Sequence, residues 1–336
     1  MEQPRVIRRL LEEERGPIAR LVEEVRGTFD YVVIAARGTS DNAARYAQYL
    51  FGAHNRLQVA LATPSLFSLY GRPPSLDRAL VIGISQSGQS PDIVSVLAEG
   101  RRQGRPAIAI TNDPASPLAE AAGRVIQLHT GKEQAVAATK TYTASLASLA
   151  LFSALLDEDG GHAGDLERLP GYIEAALESL EPLMARVERY RFMDHCAVIG
   201  RGFNYATAFE IALKVKELTR TVAEPYSSAD FRHGPIALVR EGFPVMVLAP
   251  SSAVSADIQD LTADILRRGA ELLLISDQPE LLRQAHLPLP LPAGMPEWLS
   301  PMVAVLPGQL FGLHLALARG FNPDQPQGIT KVTETL

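Results

Sequence analysis

The stretch ALVIGISQSGQSPDI, residues 79–93, joins an apolar run to a polar loop and then to a segment of helical periodicity. The apolar run Ala79–Ile84 is short and rich in branched residues, which is typical of a buried strand. Three serines, two glutamines and one glycine fill Ser85–Ser90, and no charge precedes Asp92. A strand that enters a helix through such a loop predicts a βα unit with a ligand-binding turn.

Similar apolar runs recur along the chain, and segments of helical periodicity separate most of them. Strands that alternate with helices predict parallel βαβ units and an α/β fold. The predicted strands are Tyr31–Ala36, Ala79–Ile84, Ala107–Thr111, Val125–Leu128, Cys196–Gly200, Pro244–Ala249 and Leu272–Ser276.

The second group of strands repeats features of the first at an offset of 164 or 165 residues. The matching pairs are Arg37-Gly38 with Arg201-Gly202, Asp92-Ile93 with Asp257-Ile258, and Gly104 with Gly269. Three matches at nearly one offset predict an internal duplication. The polar loop is not repeated, because Pro250–Ser255 lacks the glycine and begins with a residue that has no backbone donor. We therefore expect ligand binding at the loop of the first half only.

Length and duplication together predict two domains. The chain has 336 residues, and domains average about 150 residues. The expected parts are an N-terminal helix over 1–24, a first domain over 25–156, a helical connector over 157–189 that contains Gly160-Gly161, a second domain over 190–325 and a tail over 326–336.

Composition and charge exclude several classes of function. The formal net charge of −6 argues against a broad nucleic-acid surface, so no nucleic-acid partner is expected. The one cysteine, Cys196, excludes an internal disulfide and a cysteine-based zinc site, and its apolar neighbours predict a buried thiol. We expect neither a metal nor a cofactor.

Two segments bear on localisation. The N-terminal residues are charged and lack the apolar core of a signal peptide. Ala135–Leu156 is apolar but contains Lys140 and many hydroxyl side chains, so it predicts a buried helix and not a membrane span. We expect a cytoplasmic protein with no membrane partner.

The polar loop offers many donors at the edge where open α/β sheets bind ligands. Backbone N–H groups at a helix start favour an anion, and Gly88 lets the backbone approach it closely. The side-chain donors are Ser85, Gln86, Ser87, Gln89 and Ser90. A helix cap accounts for one serine, whereas six consecutive small or amide residues favour a phosphate cradle. Thr39 and Ser40, after the first strand, are expected to close on the same phosphate.

A second stretch, ALKVKEL over 212–218, carries charges among apolar residues. Lys214 and Glu217 share one face of a predicted helix. A surface ion pair is the simpler interpretation, but a buried lysine and glutamate indicate a functional site. His233 follows in a turn-like Arg-His-Gly-Pro sequence, where a structural histidine is the simpler alternative. Together the three side chains form an acid–base set suited to a sugar carbonyl.

These motifs resemble the sugar isomerase (SIS) family in its double-domain form, each domain a flavodoxin-like α/β/α sandwich around a parallel sheet. In particular they resemble the isomerase half of glutamine–fructose-6-phosphate aminotransferases and the stand-alone amino-sugar-phosphate deaminases. The resemblance covers about residues 25–336. It rests on Gly38-Thr-Ser40, Ser85-Gln-Ser-Gly88, Val136-Ala-Ala-Thr-Lys140, Leu213-Lys-Val-Lys-Glu217, His233-Gly-Pro235 and Lys331.

The resemblance implies a role for each matched residue. Glu217 moves a proton between C1 and C2, and Lys214 assists it. His233 promotes ring opening and reaches the site from the neighbouring subunit of a homodimer. Lys331 lies at the sugar carbonyl, where a Schiff base between the two groups is one of the implied possibilities. The residues implied in phosphate binding are Thr39, Ser85, Gln86, Ser87 and Ser90, and those implied in sugar binding are Ser40, Val136 and Ala138.

Two departures from the aminotransferase pattern bear on the substrate. Ala138 stands where those enzymes have serine, and the tail after Lys331 is one residue shorter. Without a glutaminase domain, the expected reaction is release of ammonia from glucosamine 6-phosphate to give fructose 6-phosphate. The alternatives are a fructosamine-phosphate deglycase, an isomerase of another phosphosugar, and a non-catalytic phosphosugar sensor.

Overall fold

A computed structural model describes residues 2–133, 135–157, 162–326 and 328. These residues fall into two compact units. The first comprises residues 2–133, 138–157 and 162–170, and the second comprises 135–137, 171–326 and 328.

The first unit is built on a five-stranded parallel sheet. Its strands are β1 (Tyr31–Ala35), β2 (Gln58–Leu61), β3 (Ala79–Ile84), β4 (Ala107–Thr111) and β5 (Val125–Gln127), in the order β2-β1-β3-β4-β5. Its helices are α1 (Gln3–Val25), α2 (Thr39–Asn55), α3 (Pro64–Ser68), α4 (Pro91–Arg102), α5 (Pro117–Ala122) and α6 (Lys140–Leu156).

Burial explains why the central strands were visible in the sequence. Every residue of β3 and β4 is buried, as expected where helices cover both faces of a parallel sheet. Val81 of β3 packs with Leu97 of α4 and Leu118 of α5 in one core cluster. Helix α6 packs against α1 and α2.

Helical segments connect the two sheets. A 3₁₀ turn at Asp165–Arg168, helix α7 (Leu169–Leu180) and a 3₁₀ segment at Glu181–Tyr190 follow one another. The predicted boundary at Gly160-Gly161 lies outside the described residues.

The second unit has a parallel sheet of five strands as well. They are β6 (His195–Gly200), β7 (Val222–Ser227), β8 (Pro244–Leu248), β9 (Glu271–Ser276) and β10 (Leu287–Pro290), in the order β10-β9-β8-β6-β7. The helices are α8 (Tyr205–Thr219), α9 (Ser228–Arg232), α10 (Ser255–Arg267), α11 (Pro279–Leu282) and α12 (Ser300–Ala318).

Both sheets have the same topology. In each, the second strand lies at one edge, followed by the first, third, fourth and fifth. The matched glycines at 104 and 269 follow α4 and α10 with φ of 73° and 81°, the left-handed conformation that ends a helix. The prediction of two tandem parallel α/β domains is therefore confirmed, while the domain boundaries drawn from the sequence stay a prediction.

The sequence missed three strands, β2, β7 and β10. All three lie at sheet edges. Edge strands bury less, and β2 and β10 alternate between more and less exposed positions without a continuous apolar run. Prolines in β7 and β10 further disguised them, since proline is tolerated at an edge.

Several predicted boundaries were also wrong. The first, fourth and sixth predicted strands end one residue earlier, and the fifth and seventh begin one residue earlier. The predicted helix Ala135–Leu156 begins only at Lys140. Its first residues are not helical because they make tertiary contacts, with Ala137 packed in a cluster with Leu218 and Ala316.

One helical segment of the described chain, Glu297–Ala318, is long and apolar enough to cross a membrane. Of its apolar window, 78% is buried inside the protein, and α12 packs against α8. It is therefore a core helix of the second unit. Cys196 is buried as predicted, and this burial raises the pKa of its thiol to about 12.

Candidate functional site

The loop Ser85–Ser90 leaves the carboxyl end of β3 and enters α4. β1 lies beside β3 in parallel, and its own carboxyl end leads into α2. In this strand order the connections diverge between β1 and β3. Flavodoxin-like sheets bind ligands at that point, so both predicted phosphate loops stand at the expected position.

The loop has a tight turn that requires glycine. The N–H of Gly88 donates to Ser85 Oγ at 3.1 Å, and the φ of Gly88 is 64°. A Cβ atom at position 88 would lie 2.1 Å from Ser116 Oγ. Both the conformation and the close approach therefore exclude a side chain.

Contacts with the next βα segment fasten the loop. The carbonyl of Gln86 accepts from the N–H of Asn112 at 3.1 Å, and the carbonyl of Gly88 accepts from the N–H of Leu118, also at 3.1 Å. These two acceptors are therefore satisfied inside the protein.

The structure decides against a capping role for Ser90. It is the residue before α4, yet its side chain makes no capping hydrogen bond. It is half-buried, as are Gln86 and Ser87, while Ser85 is buried and Gln89 is exposed. Thr39 and Ser40 are half-buried in the first turn of α2.

An ion pair that the sequence analysis did not recognise ties the two loops together. Arg37 follows β1, and its Nε and one terminal nitrogen lie 2.8 Å from Asp92 Oδ2 in the first turn of α4. The Asp92 side chain is 0% exposed and that of Arg37 is 50% exposed. The sequence showed both residues only as markers of the duplication.

Helix α8 carries the predicted lysine–glutamate pair in the second unit. Lys214 Nζ lies 2.5 Å from Glu217 Oε2 and 3.5 Å from Glu210 Oε1. The side chains of Lys214 and Glu210 are 1% and 0% exposed. Burial alone disfavours the charged amine, but the two carboxylates outweigh it and raise the pKa of Lys214.

The three side chains have different access to solvent. The side chain of Glu217 is 23% exposed, so part of it reaches solvent, while the buried ammonium group holds its carboxylate in place. Glu210 was missed in the sequence, although it lies four residues before Lys214 on the same helix face. The simpler interpretation of Lys214 and Glu217, a solvated surface ion pair, is wrong because the lysine is buried.

His233 is exposed at the end of α9. The adjacent Arg232 anchors this segment, donating to Asp257 Oδ1 at 2.6 Å and to the Asp257 carbonyl at 2.8 Å. Ser228 also donates to Asp257. Burial on its own raises the pKa of Asp257, but the hydrogen bonds from Ser228 and Arg232 prevail and lower it.

The remaining predicted residues lie in different parts of the chain. Val136 and Ala138 are both half-buried. Val136 belongs to the second unit and Ala138 to the first unit. Lys331 lies outside the described residues. Among the described residues no group of three or more His, Cys, Asp or Glu is placed to hold a metal ion.

Comparison with known proteins gives a family match in both halves. Residues 30–155 and 193–319 match the SIS domain. A glutamine–fructose-6-phosphate aminotransferase (isomerizing) of Thermococcus kodakarensis is 34% identical over 264 residues, covering 76% of this chain and 44% of that protein. The chain spans about half the length of the curated relatives it matches.

Two solved structures have the same fold. The C-terminal domain of glucosamine–fructose-6-phosphate aminotransferase from Francisella tularensis aligns with a TM-score of 0.86 at 27% identity, covering 97% of this chain and 96% of that one. Glucosamine-6-phosphate deaminase from Thermotoga maritima aligns with a TM-score of 0.77 at 23% identity, covering 100% of both chains.

Proposed function

The chain belongs to the SIS-domain family, and we propose that it is an aldose–ketose isomerase and deaminase of an amino-sugar 6-phosphate. The proposed reaction converts glucosamine 6-phosphate and water into fructose 6-phosphate and ammonia. The relatives that support this proposal act, by name, on fructose 6-phosphate or glucosamine 6-phosphate.

The observation that carries the proposal is the partly exposed side chain of Glu217, whose carboxylate lies 2.5 Å from the buried amine of Lys214. Aldose–ketose isomerisation needs one base that removes the proton from C2 and returns a proton to C1. A carboxylate held between a buried cation and solvent suits that shuttle, because it is oriented but still reachable. A sensor has no need for this buried charge arrangement.

The proposed chemistry has three stages. His233 promotes opening of the sugar ring, and Glu217 then takes the C2 proton and delivers a proton to C1. The C2–N bond becomes an imine, which water hydrolyses to the ketone with release of ammonia. The Ser85–Ser90 loop holds the phosphate, and in this proposal Lys331 interacts with the carbonyl.

Product analysis tests the proposal. Purified protein is incubated with glucosamine 6-phosphate, without glutamine, and ammonia and fructose 6-phosphate are measured together. We expect equal amounts of both products. Ammonia without fructose 6-phosphate, or neither product, would contradict the proposal.

A deglycase is the second candidate, and Ala138 is the observation that favours it. The aminotransferase pattern has serine there, so in the proposed sugar-binding role of this position one hydroxyl contact would be absent, which favours a different sugar phosphate. Fructosamine 6-phosphate belongs in the same assay, with free glucosamine as the control that lacks phosphate. Faster turnover of fructosamine 6-phosphate would assign the deglycase reaction.

The exposure of His233 supports a composite site in a homodimer, in which this side chain serves the partner's site. Inactive Glu217→Gln and His233→Ala proteins are mixed under conditions that exchange subunits. We expect partial recovery of ammonia release, because one site of each mixed dimer has both groups intact. No recovery after confirmed exchange, or a monomer by sedimentation, would contradict the composite site.

A further inference from the structure

Arg37 stands at the point where the two predicted phosphate loops meet. It follows β1, and its guanidinium reaches the first turn of α4, two residues beyond Ser90. The loops 37–41 and 85–92 contain no other lysine or arginine. The positive charge available within these two loops therefore resides on one side chain.

Asp92 makes that charge necessary. Its carboxylate is 0% exposed and lies in the first turn of the helix that the serine loop enters. Interactions between buried charges are weakly screened, so an unpaired carboxylate there would repel a phosphate dianion. Arg37 binds this carboxylate through two nitrogens, and half of its side chain remains exposed.

The second unit shows a different use of the same pair. Arg201 follows β6, and its Nε lies 3.7 Å from Asp257 Oδ2. Asp257 also binds Arg232 at 2.6 Å, so two arginines share one carboxylate. The loop beside this pair already binds a carboxylate of the protein, since the N–H of Ala253 donates to Glu297 Oε2 at 2.9 Å.

We propose that Arg37 is the cation of the phosphate site, cancelling the charge of Asp92 and donating N–H groups to the substrate's phosphate. A planar guanidinium that is tethered on one side and exposed on the other is suited to binding a phosphate oxygen. The inference rests on the proposed function in taking the phosphate to be that of the substrate. It adds one charged donor to a site whose predicted side-chain donors are all neutral.

Calorimetry with inorganic phosphate tests the role of Arg37 directly. In Arg37→Gln the dissociation constant is expected to rise at least tenfold, which corresponds to about 1.4 kcal/mol. Arg37→Lys keeps the positive charge but loses the paired N–H donors of the planar guanidinium group, so an intermediate phosphate affinity is expected. If the wild-type protein binds no phosphate, or if a folded Arg37→Gln protein binds it within twofold of wild type, the inference is overturned.

Asp92→Asn tests whether Arg37 acts on the phosphate through its charge or only holds the two loops together. It removes the negative charge at nearly constant shape and leaves Arg37 in place. We expect phosphate to bind as tightly as in wild type, or more tightly. If Asp92→Asn weakens phosphate binding as much as Arg37→Gln does, the pair only holds the loops together and the inference fails. If Arg37→Gln does not fold, a tenfold or greater loss of phosphate affinity in Asp92→Asn overturns the inference by itself.

Arg201→Gln is the matched control for phosphate binding, because it breaks the equivalent contact beside a loop that lacks the glycine. Its phosphate affinity should equal that of wild type, and a loss as large as that of Arg37→Gln would overturn the inference. Phosphate binding is measured without turnover. Absent ammonia release with Arg37-dependent phosphate binding would therefore contradict the proposed function and leave this inference standing.

Discussion

The loops after β3 and β8 occupy the same place in duplicated sheets, yet their backbones have different partners. In the first, the N–H of Gly88 donates to Ser85 within the loop. In the second, the N–H of the corresponding Ala253 donates to the carboxylate of Glu297, and that of Ser251 donates to Asp277. The protein's own carboxylates thus satisfy two backbone donors of the second loop, whereas a serine of the same loop satisfies the N–H of Gly88 in the first.

The two units share one sheet topology, and under the proposed function they have different chemical roles. The first unit has the polar turn suited to an anion. In the second, α8 follows the first strand and carries Lys214 between two carboxylates. Phosphate recognition and proton transfer are therefore expected to respond separately to substitution.

The largest expected effect is on turnover. Glu217→Gln keeps the shape of the side chain and removes the base, so kcat should fall by about 10²–10⁴, the usual contribution of a general base. Steady-state ammonia release measures it, and phosphate affinity should be unchanged. Lys216→Gln, an exposed neighbour on the same helix, is the control. Full turnover by Glu217→Gln would contradict the shuttle.

Next in size is the stability of the second unit. Lys214→Met removes the ammonium group that lies between the carboxylates of Glu210 and Glu217, and breaking a buried pair costs about 3–5 kcal/mol of unfolding free energy. Denaturant unfolding measures this loss, with Lys216→Met as the exposed control.

The pH dependence of that loss has a definite sign. Because folding raises the pKa of Lys214 above 10.5, its contribution is complete below pH 10.5 and is lost as pH rises through the folded-state pKa. The difference between wild type and Lys214→Met should therefore be constant near neutrality and shrink in strong alkali. A difference that grows with alkalinity would contradict the assigned charge.

A smaller effect is expected from the first loop. Gly88→Ala adds a clash with Ser116 to an unfavourable φ, so phosphate affinity should fall at least tenfold, about 1.4 kcal/mol. Gly104→Ala is the control, because its φ is 73° and no atom lies within 4 Å of the added Cβ. Equal phosphate affinities in the two variants would show that the turn does not shape the site.

The smallest effect should come from the second loop. Glu297→Gln keeps an oxygen that can accept from the N–H of Ala253 but removes its negative charge, so we expect a loss of no more than about 1 kcal/mol of stability. The Glu297→Gln substitution should not create a phosphate site in the second loop, since that loop still lacks glycine and begins with proline. Calorimetry on the double variant Arg37→Gln/Glu297→Gln tests this, and recovered binding would contradict it.

How much the sequence predicted depended on whether a feature was local. The central strands and the Lys214–Glu217 pair were predictable, because continuous apolar runs and helix spacing are local signals. The edge strands β7 and β10 contain prolines and were missed. Glu210 had a usable signal, a carboxylate four residues before a lysine in an apolar helix.

The Arg37–Asp92 contact was not predictable in the same way. It joins residues 55 positions apart and exists because β1 and β3 are neighbours in the sheet. Both residues recur in the second half of the sequence. That recurrence indicated a duplication, but it did not indicate that the two side chains form an ion pair.

In the proposed function, the first unit binds the phosphate and the second moves the proton. The most direct measurement is ammonia release against glucosamine 6-phosphate concentration for wild type, Ser87→Ala and Glu217→Gln. We expect a raised KM with nearly normal kcat for Ser87→Ala, and a lowered kcat with nearly normal KM for Glu217→Gln. The reverse pattern, or equal changes of both parameters in both variants, would contradict it.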